Sequence, residues 1–281
     1  MNYFQVILMA IVQGLSEFLP ISSSGHLVFT SNIYKLVTGT NLEYNTQEVF
    51  TDIILHLGTL IAVLIFYRKE LWEILKALFV GIKNRDFSSP NAKLGLYIIL
   101  GTFVTIAIAY PLYGIAKHLV FSPFAVGVLL TFTGSVLIFS EYVSRNILEK
   151  QEQISLKTSI MIAIAQGIAA LPGFSRSGLT ISMGLIMGLD RNIAARYSFL
   201  LSIPIIIGAS MVYPLIELDA TQLGSFDWKL LSVGAIVSGL VGYICIKYFI
   251  KFISKFSLTA FGIYCIIVGF LMTALFYFVK G

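Results

Sequence analysis

The stretch Ala10-Ile11-Val12-Gln13-Gly14-Leu15-Ser16-Glu17-Phe18-Leu19-Pro20-Ile21-Ser22-Ser23-Ser24-Gly25-His26 decides how this chain folds. A bilayer-spanning helix needs about 20 mostly apolar residues, and here Pro20 and the serine run interrupt the apolar pattern before that length is reached. A second stretch repeats the design. Ala163-Ile164-Ala165-Gln166-Gly167 answers Ala10–Gly14, and Leu171-Pro172 and Ser175 answer Leu19-Pro20 and Ser23 after a one-residue slip. Each copy consists of two short apolar pieces, residues 3–19 with 26–37 and residues 156–171 with 178–189. Irregular backbone at membrane depth is tolerated only where protein buries it or where it lines a wet cavity. Each pair therefore reads as a re-entrant helical hairpin. Chance matching of common residues is the plain alternative, but two matches that both precede a break favour duplication.

The rest of the chain agrees with a membrane setting. It has 281 residues, 57% hydrophobic and only 12% charged, with a mean hydropathy of +0.89; soluble domains carry about 25% charged residues. Six stretches are long and apolar enough to cross, at residues 47–67, 94–116, 123–144, 193–216, 230–250 and 258–279. Residues 69–83 alternate charges with Leu71, Trp72, Leu75, Leu78 and Phe79, the pattern of a helix lying in the interface. The expected fold is an all-α polytopic membrane protein, one domain over residues 1–281. Residues 1–145 and 156–281 form two repeats, each a hairpin followed by three spans. Three crossings are an odd number, so the second copy sits upside down relative to the first. Inverted repeats with broken helices place binding sites near the midplane.

Of the 19 Lys and Arg, only Lys35, Lys117, Lys229 and Lys280 fall on the N-terminal side. Arg176 lies in the second hairpin, and all others fall on the opposite side. The positive-inside rule makes that opposite side cytoplasmic and puts both termini outside. The net charge of +5 thus marks cytoplasmic loops rather than nucleic-acid binding, for which no arginine-rich arm exists. Cys245 and Cys265 lie in apolar stretches and read as buried hydrophobes. Met1–Pro20 contains no Lys or Arg, so no cleavable signal peptide is expected.

Ionisable residues at membrane depth are rare and usually functional. The first hairpin carries Gln13, Glu17, Ser22, Ser23, Ser24 and His26; the second carries Gln166, Ser175, Arg176, Ser177 and Thr180. Meeting hairpin tips would gather these groups into one polar cavity. Gln13 and Glu17, four apart, share a helix face. The breaks lead into helices beginning near His26 and Leu179, and helix N-termini bind anions. Arg176 offers a planar fork for phosphate oxygens. Ser23 and His26, three apart at a helix start, are close enough to approach, and a hydroxyl beside an imidazole with an orienting carboxylate is the logic of an activated nucleophile. The chemistry suggested is phosphoryl transfer on a phosphate-bearing substrate reached within the bilayer. Plainer roles compete: a structural Glu17–Arg176 ion pair, helix caps at Ser22 and Ser24, and a passive histidine at His26. His56 reads as structural and His118 as solvated, and Asp190 with Arg191 and Arg196 reads as a helix cap and interfacial anchor.

The first motif, residues 13–26, and the second, Pro172-Gly173-Phe174-Ser175-Arg176-Ser177-Gly178-Leu179-Thr180, resemble the bacterial undecaprenyl-diphosphatases, also called bacitracin-resistance proteins. The resemblance extends to length and span layout. It implies hydrolysis of undecaprenyl diphosphate to undecaprenyl phosphate, the lipid carrier for peptidoglycan precursors, in the inner membrane with the site open to the outer face. It implies Glu17, Ser23, His26 and Arg176 as catalytic residues, with Ser22, Ser24, Gly173, Ser175, Ser177 and Thr180 binding the diphosphate. It also implies a divalent cation, Mg2+ or Ca2+, near Glu17 and Gln13. Many members carry Glu where this chain has Gln13, and an amide cannot act as acid or base. Bilayer lipid and the polyprenyl diphosphate are the expected partners, and homo-oligomerisation is left open. The competing expectation is a polyprenyl-phosphate flippase using the same cavity, although Ser23 and His26 are more than binding requires.

Overall fold

Small polar residues start most of the helices, because a side-chain oxygen can take one of the amides that a helix start leaves unbonded. The structure, a computed structural model, describes residues 1–40, 46–217 and 224–280. Among these, eleven helices account for most of the residues: α1 (Tyr3–Ser16), α2 (Ser23–Thr38), α3 (Thr46–Phe66), α4 (Arg68–Asn84), α5 (Pro90–Leu119), α6 (Pro123–Arg145), α7 (Leu156–Ile168), α8 (Arg176–Ile186), α9 (Arg191–Glu217), α10 (Trp228–Ile253) and α11 (Thr259–Lys280). Asn2, Ser22, Ser89, Ser122, Ser155, Ser175 and Asp227 each accept a backbone amide at a helix start. Pro90 and Pro123 follow two of these caps, at positions where a missing N–H is harmless.

Six helices, α3, α5, α6, α9, α10 and α11, are long and apolar enough to cross a bilayer. They match the six stretches expected from sequence to within a few residues at each end. Phe103, Tyr110, Phe132, Phe139, Phe270 and Tyr277 stand exposed on them, as lipid-facing side chains do. The short helices α1, α2, α7 and α8 fall on the four short apolar pieces as two helical hairpins, with α2 beginning at Ser23 rather than near His26 and α8 at Arg176 rather than near Leu179. Helix α4 packs Leu78 over Gly95 of α5 and leaves Trp72, Leu75, Phe79 and Ile82 exposed. That apolar outer face suits the interfacial helix read from residues 69–83.

Glycines set the helix crossings, because lipid supplies little drive for helix association and close backbone approach must do so. Gly127 of α6 faces Gly269 of α11, and Gly134 faces Gly262, so the two helices cross antiparallel along a four-glycine seam. Two of the short helices, α1 and α7, each pair with a long helix of the other half. Val6 and Gly14 of α1 lie against Gly234 and Val241 of α10, while Ala163 and Gly167 of α7 lie against Gly101 and Ile108 of α5. Between them, α3 and α9 complete the centre, with Phe18 at the tip of the first hairpin edge-on to Phe199 of α9 at 5.5 Å.

Charged clamps hold the side opposite the N-terminus. Glu141 of α6 is buried, pairs with Arg191 of α9 and accepts the Leu258 amide before α11 at 3.0 Å. Arg196 reaches Glu70 of α4 at 2.5 Å, and Asp190 accepts the amides of Asn192 and Ile193. The cap and anchor expected of Asp190, Arg191 and Arg196 are thus present. Beside the Glu70–Arg196 pair, Tyr67 is buried with its hydroxyl unpartnered. Both cysteines are free and buried.

Candidate active site

The tips of the two hairpins meet. Glu17, just past α1, is buried to 7% exposure and receives Arg176, the first residue of α8, at 2.6 Å. Ser177 donates to the Leu19 carbonyl at 2.9 Å, and the Gly173 amide donates to the Ser24 hydroxyl at 3.4 Å. Gly173 sits at φ +99°, and a side chain there would collide with α6 at Leu129 and Val126. A glycine is thus required for the second tip to turn.

Glu17 is the hub. One carboxylate oxygen takes Arg176; the other takes the Ser23 hydroxyl at 2.7 Å and the Gln13 amide at 3.0 Å. The ring Nε2 of His56, from α3, lies 3.5 Å from the same oxygen. Gln13 also donates to Thr59 of α3 at 3.4 Å, and its side-chain carbonyl oxygen is buried with no partner. Arg176 is steadied from behind, where its second nitrogen meets the Ser198 carbonyl at 3.5 Å. Thr180 donates to the Arg176 carbonyl at 2.7 Å and shares a hydrogen bond with the Ser198 hydroxyl at 2.6 Å.

Several sequence expectations change here. Ser23 and His26 do not bond: Ser23 turns to Glu17, and His26 places Nδ1 on the Ser22 carbonyl and Nε2 on Tyr264 of α11, each at 2.8 Å. One turn of helix separates the two side chains, and each finds a partner on another side. Ser175 and Ser177 are buried and already bonded. The first caps α8 through the Gly178 amide at 3.0 Å, and the second holds Leu19. Thr180 bonds the Arg176 carbonyl, so all three hydroxyls are engaged within the protein. Ser22 caps α2 through the Gly25 amide at 3.1 Å, as its plainer role has it, in an unusual φ of +69°. Ser23, Ser24, His26 and Arg176 keep partial exposure. Gln166, the counterpart of Gln13, bonds Thr105 and the Leu201 carbonyl, both at 3.3 Å, and stays out of the junction.

Sequence reasoning passed over Thr59, Tyr264 and Ser198, and read His56 as structural. A signal for two of them existed. Asp52, His56 and Thr59 recur at four and three residues in an otherwise apolar span, which is one helix face. Tyr264 had no such signal, since the chain has 14 tyrosines and most mark interfaces.

Fold and site together define a polytopic helical membrane protein with a buried, arginine-paired carboxylate and a hydroxyl held between two helix starts. A family model described as bacitracin resistance protein BacA matches residues 6–271, and the chain belongs to that family. It is 38% identical over 275 residues to an undecaprenyl-diphosphatase of Halothermothrix orenii, covering 98% of each chain. It is 37% identical over 276 residues to one from Rubrobacter xylanophilus, again with 98% of each covered. An undecaprenyl-diphosphatase 1 of Pseudoalteromonas translucida is 36% identical over 271 residues, 96% of this chain and 97% of that one.

Proposed function

We propose that this protein is a membrane phosphatase that hydrolyses undecaprenyl diphosphate to undecaprenyl phosphate and inorganic phosphate. Such a reaction recycles the peptidoglycan lipid carrier and underlies bacitracin resistance. One observation carries the proposal: a single carboxylate, Glu17, holds Arg176 from one hairpin and Ser23 from the other. Names of relatives covering the whole chain support the same activity. A flippase would need the arginine but neither the serine nor the histidine.

In this reading residues 1–145 and 156–281 are inverted repeats and the hairpins re-enter from opposite faces. Support comes from the antiparallel crossing of α6 and α11, the last helix of each half, and from the reciprocal pairing of α1 with α10 and α7 with α5. The Lys and Arg distribution supports cytoplasmic exposure of Asn84, an outer-face site and exterior termini in the bacterial inner membrane.

Arg176 binds the diphosphate. Glu17 and Ser198 take two of the five guanidinium donors, which leaves the rest for phosphate oxygens. The hydroxyls of Ser22 and Ser24 and the amides of the two helix starts add to that cradle. Ser23 Oγ attacks the terminal phosphorus and its proton passes to Glu17. The bridging phosphorus–oxygen bond breaks and undecaprenyl phosphate leaves with that electron pair. Water then cleaves the phosphoserine, giving a proton to His26 and releasing phosphate. A second route has His26 activate water directly with Ser23 positioning the phosphate; it is favoured by the three hydrogen bonds that Glu17 already accepts.

The donor set fits a divalent cation that also draws on the substrate. Mg2+ commonly takes one or two carboxylates plus phosphate oxygens and water, and Glu17 beside the unpartnered Gln13 carbonyl meets that pattern. No cluster of three acidic, histidine or cysteine ligands exists among the described residues, so the protein alone makes no closed cage. When bound, the ion supplies charge neutralisation on the diphosphate. Phosphate release from undecaprenyl diphosphate by the purified protein tests the proposal; a folded preparation that binds the lipid and releases none would return the reading to a flippase.

A further inference from the structure

His26 is held at both ring nitrogens, and the chemistry of its two partners fixes which one carries the proton. Nδ1 lies 2.8 Å from the Ser22 carbonyl oxygen. A carbonyl only accepts, so Nδ1 bears the hydrogen, and a neutral ring then keeps its lone pair on Nε2. That lone pair meets the Tyr264 hydroxyl at 2.8 Å, which must donate. The two rings lie 7° from parallel with centroids 5.6 Å apart. The carbonyl side of this grip depends on Ser22 at φ +69°, a conformation uncommon for a residue with a side chain and one that clusters at functional sites. Tyr264 arrives from the other end of the chain, on α11, and its ring stays 42% exposed.

From this we infer that Tyr264 is a positioning residue for His26. It holds the ring, whose Nδ1–H tautomer the Ser22 carbonyl sets, with the basic Nε2 aimed at the place where the attacking water is deprotonated, and it yields that place when water and substrate enter. The imidazole of a phosphatase base must present a lone pair and not an N–H to the water it deprotonates. The Ser22 carbonyl enforces that choice, and Tyr264 keeps the ring in place from the opposite edge. The assignment rests on His26 being the base of the proposed reaction.

The test is Tyr264→Phe, purified as the full chain and compared with wild type in two measurements. Because Tyr264 is partly exposed and Phe keeps the ring, the variant should melt with wild type. In undecaprenyl diphosphate hydrolysis, kcat is expected to fall about ten-fold, part of the hundredfold or more that a general base supplies, with KM within two-fold. In nitrogen-15 NMR of histidine-labelled protein, the chain's three histidines give few resonances, and His26→Asn identifies the one to follow. Wild type should show the Nε2 signal of His26 displaced by the hydrogen bond it accepts, and Tyr264→Phe should lose that displacement while Nδ1 keeps its proton. An unchanged Nε2 signal overturns the inference whatever the activity. A raised KM at wild-type kcat overturns it as well, because Tyr264 would then be a substrate contact. Full turnover by His26→Asn would instead remove His26 from the reaction, a failure of the proposed mechanism that leaves the nitrogen measurement intact.

Discussion

Arg176→Ala separates the structural from the chemical part of the hairpin junction. The Arg176 side chain is 17% exposed and the Glu17 side chain 6%, so the pair is mostly desolvated. Removing one member of a buried pair costs about 3–5 kcal/mol, because the other charge is left behind. Here Glu17 keeps hydrogen bonds from Ser23 at 2.7 Å and Gln13 at 3.0 Å, which places the loss near the low end, about 3 kcal/mol. Catalysis should suffer at least as much. Losing one preorganised donor to developing negative charge lowers kcat about 10²–10³-fold, and Arg176 has several donors to lose. Arg176→Lys keeps the charge but not the fork, so it should recover much of the melting temperature and little of the rate. The assay is inorganic phosphate release at saturating undecaprenyl diphosphate in detergent, beside thermal unfolding of the same preparations. A folded Arg176→Ala protein retaining more than about a tenth of wild-type turnover would refute the reasoning, since the loss worked out here is about a hundredfold or more.

Other consequences are open to direct checks. Gly127→Val puts a side chain 2.8 Å from the Gly269 carbonyl and 2.9 Å from the Thr273 amide; overpacking of this kind costs about 1–3 kcal/mol, and an unshifted melting temperature would deny the glycine seam. Gln13→Glu adds a second carboxylate beside Glu17, so half-maximal activity should need less Mg2+; inactivity at every Mg2+ concentration would instead make the Gln13 amide an essential donor. Cysteines placed at Asn84 and His118, both exposed, should label from the cytoplasm and from the exterior respectively, and the reverse pattern would overturn the charge-based orientation.

Sequence periodicity located the membrane helices well because burial in lipid demands one thing of every residue, apolarity, and tells in runs of twenty. The hairpins were legible for the opposite reason: Pro20, Pro172 and the serine runs forbid a continuous helix where the flanking residues still require a bilayer. The Glu17–Arg176 meeting was legible as a possibility, since two isolated charges at membrane depth need each other. Which hydroxyl meets which partner was not. Ser23 choosing Glu17 over His26, and Ser175, Ser177 and Thr180 turning inward, depend on rotamers and on how α3, α9 and α11 close around the tips. Those contacts span up to 238 residues, as between His26 and Tyr264, and no local pattern encodes them. The antiparallel glycine seam lay in plain sight at seven-residue spacing, yet its meaning required knowing that α6 faces α11.

The most direct measurement is phosphate release from undecaprenyl diphosphate by the purified protein, with and without chelator, beside Ser23→Ala and His26→Ala. The account predicts release that the chelator stops and that both variants lose by about a hundredfold or more. Wild-type release from a folded Ser23→Ala protein would contradict the serine attack, and no release from folded wild-type protein would contradict the phosphatase itself.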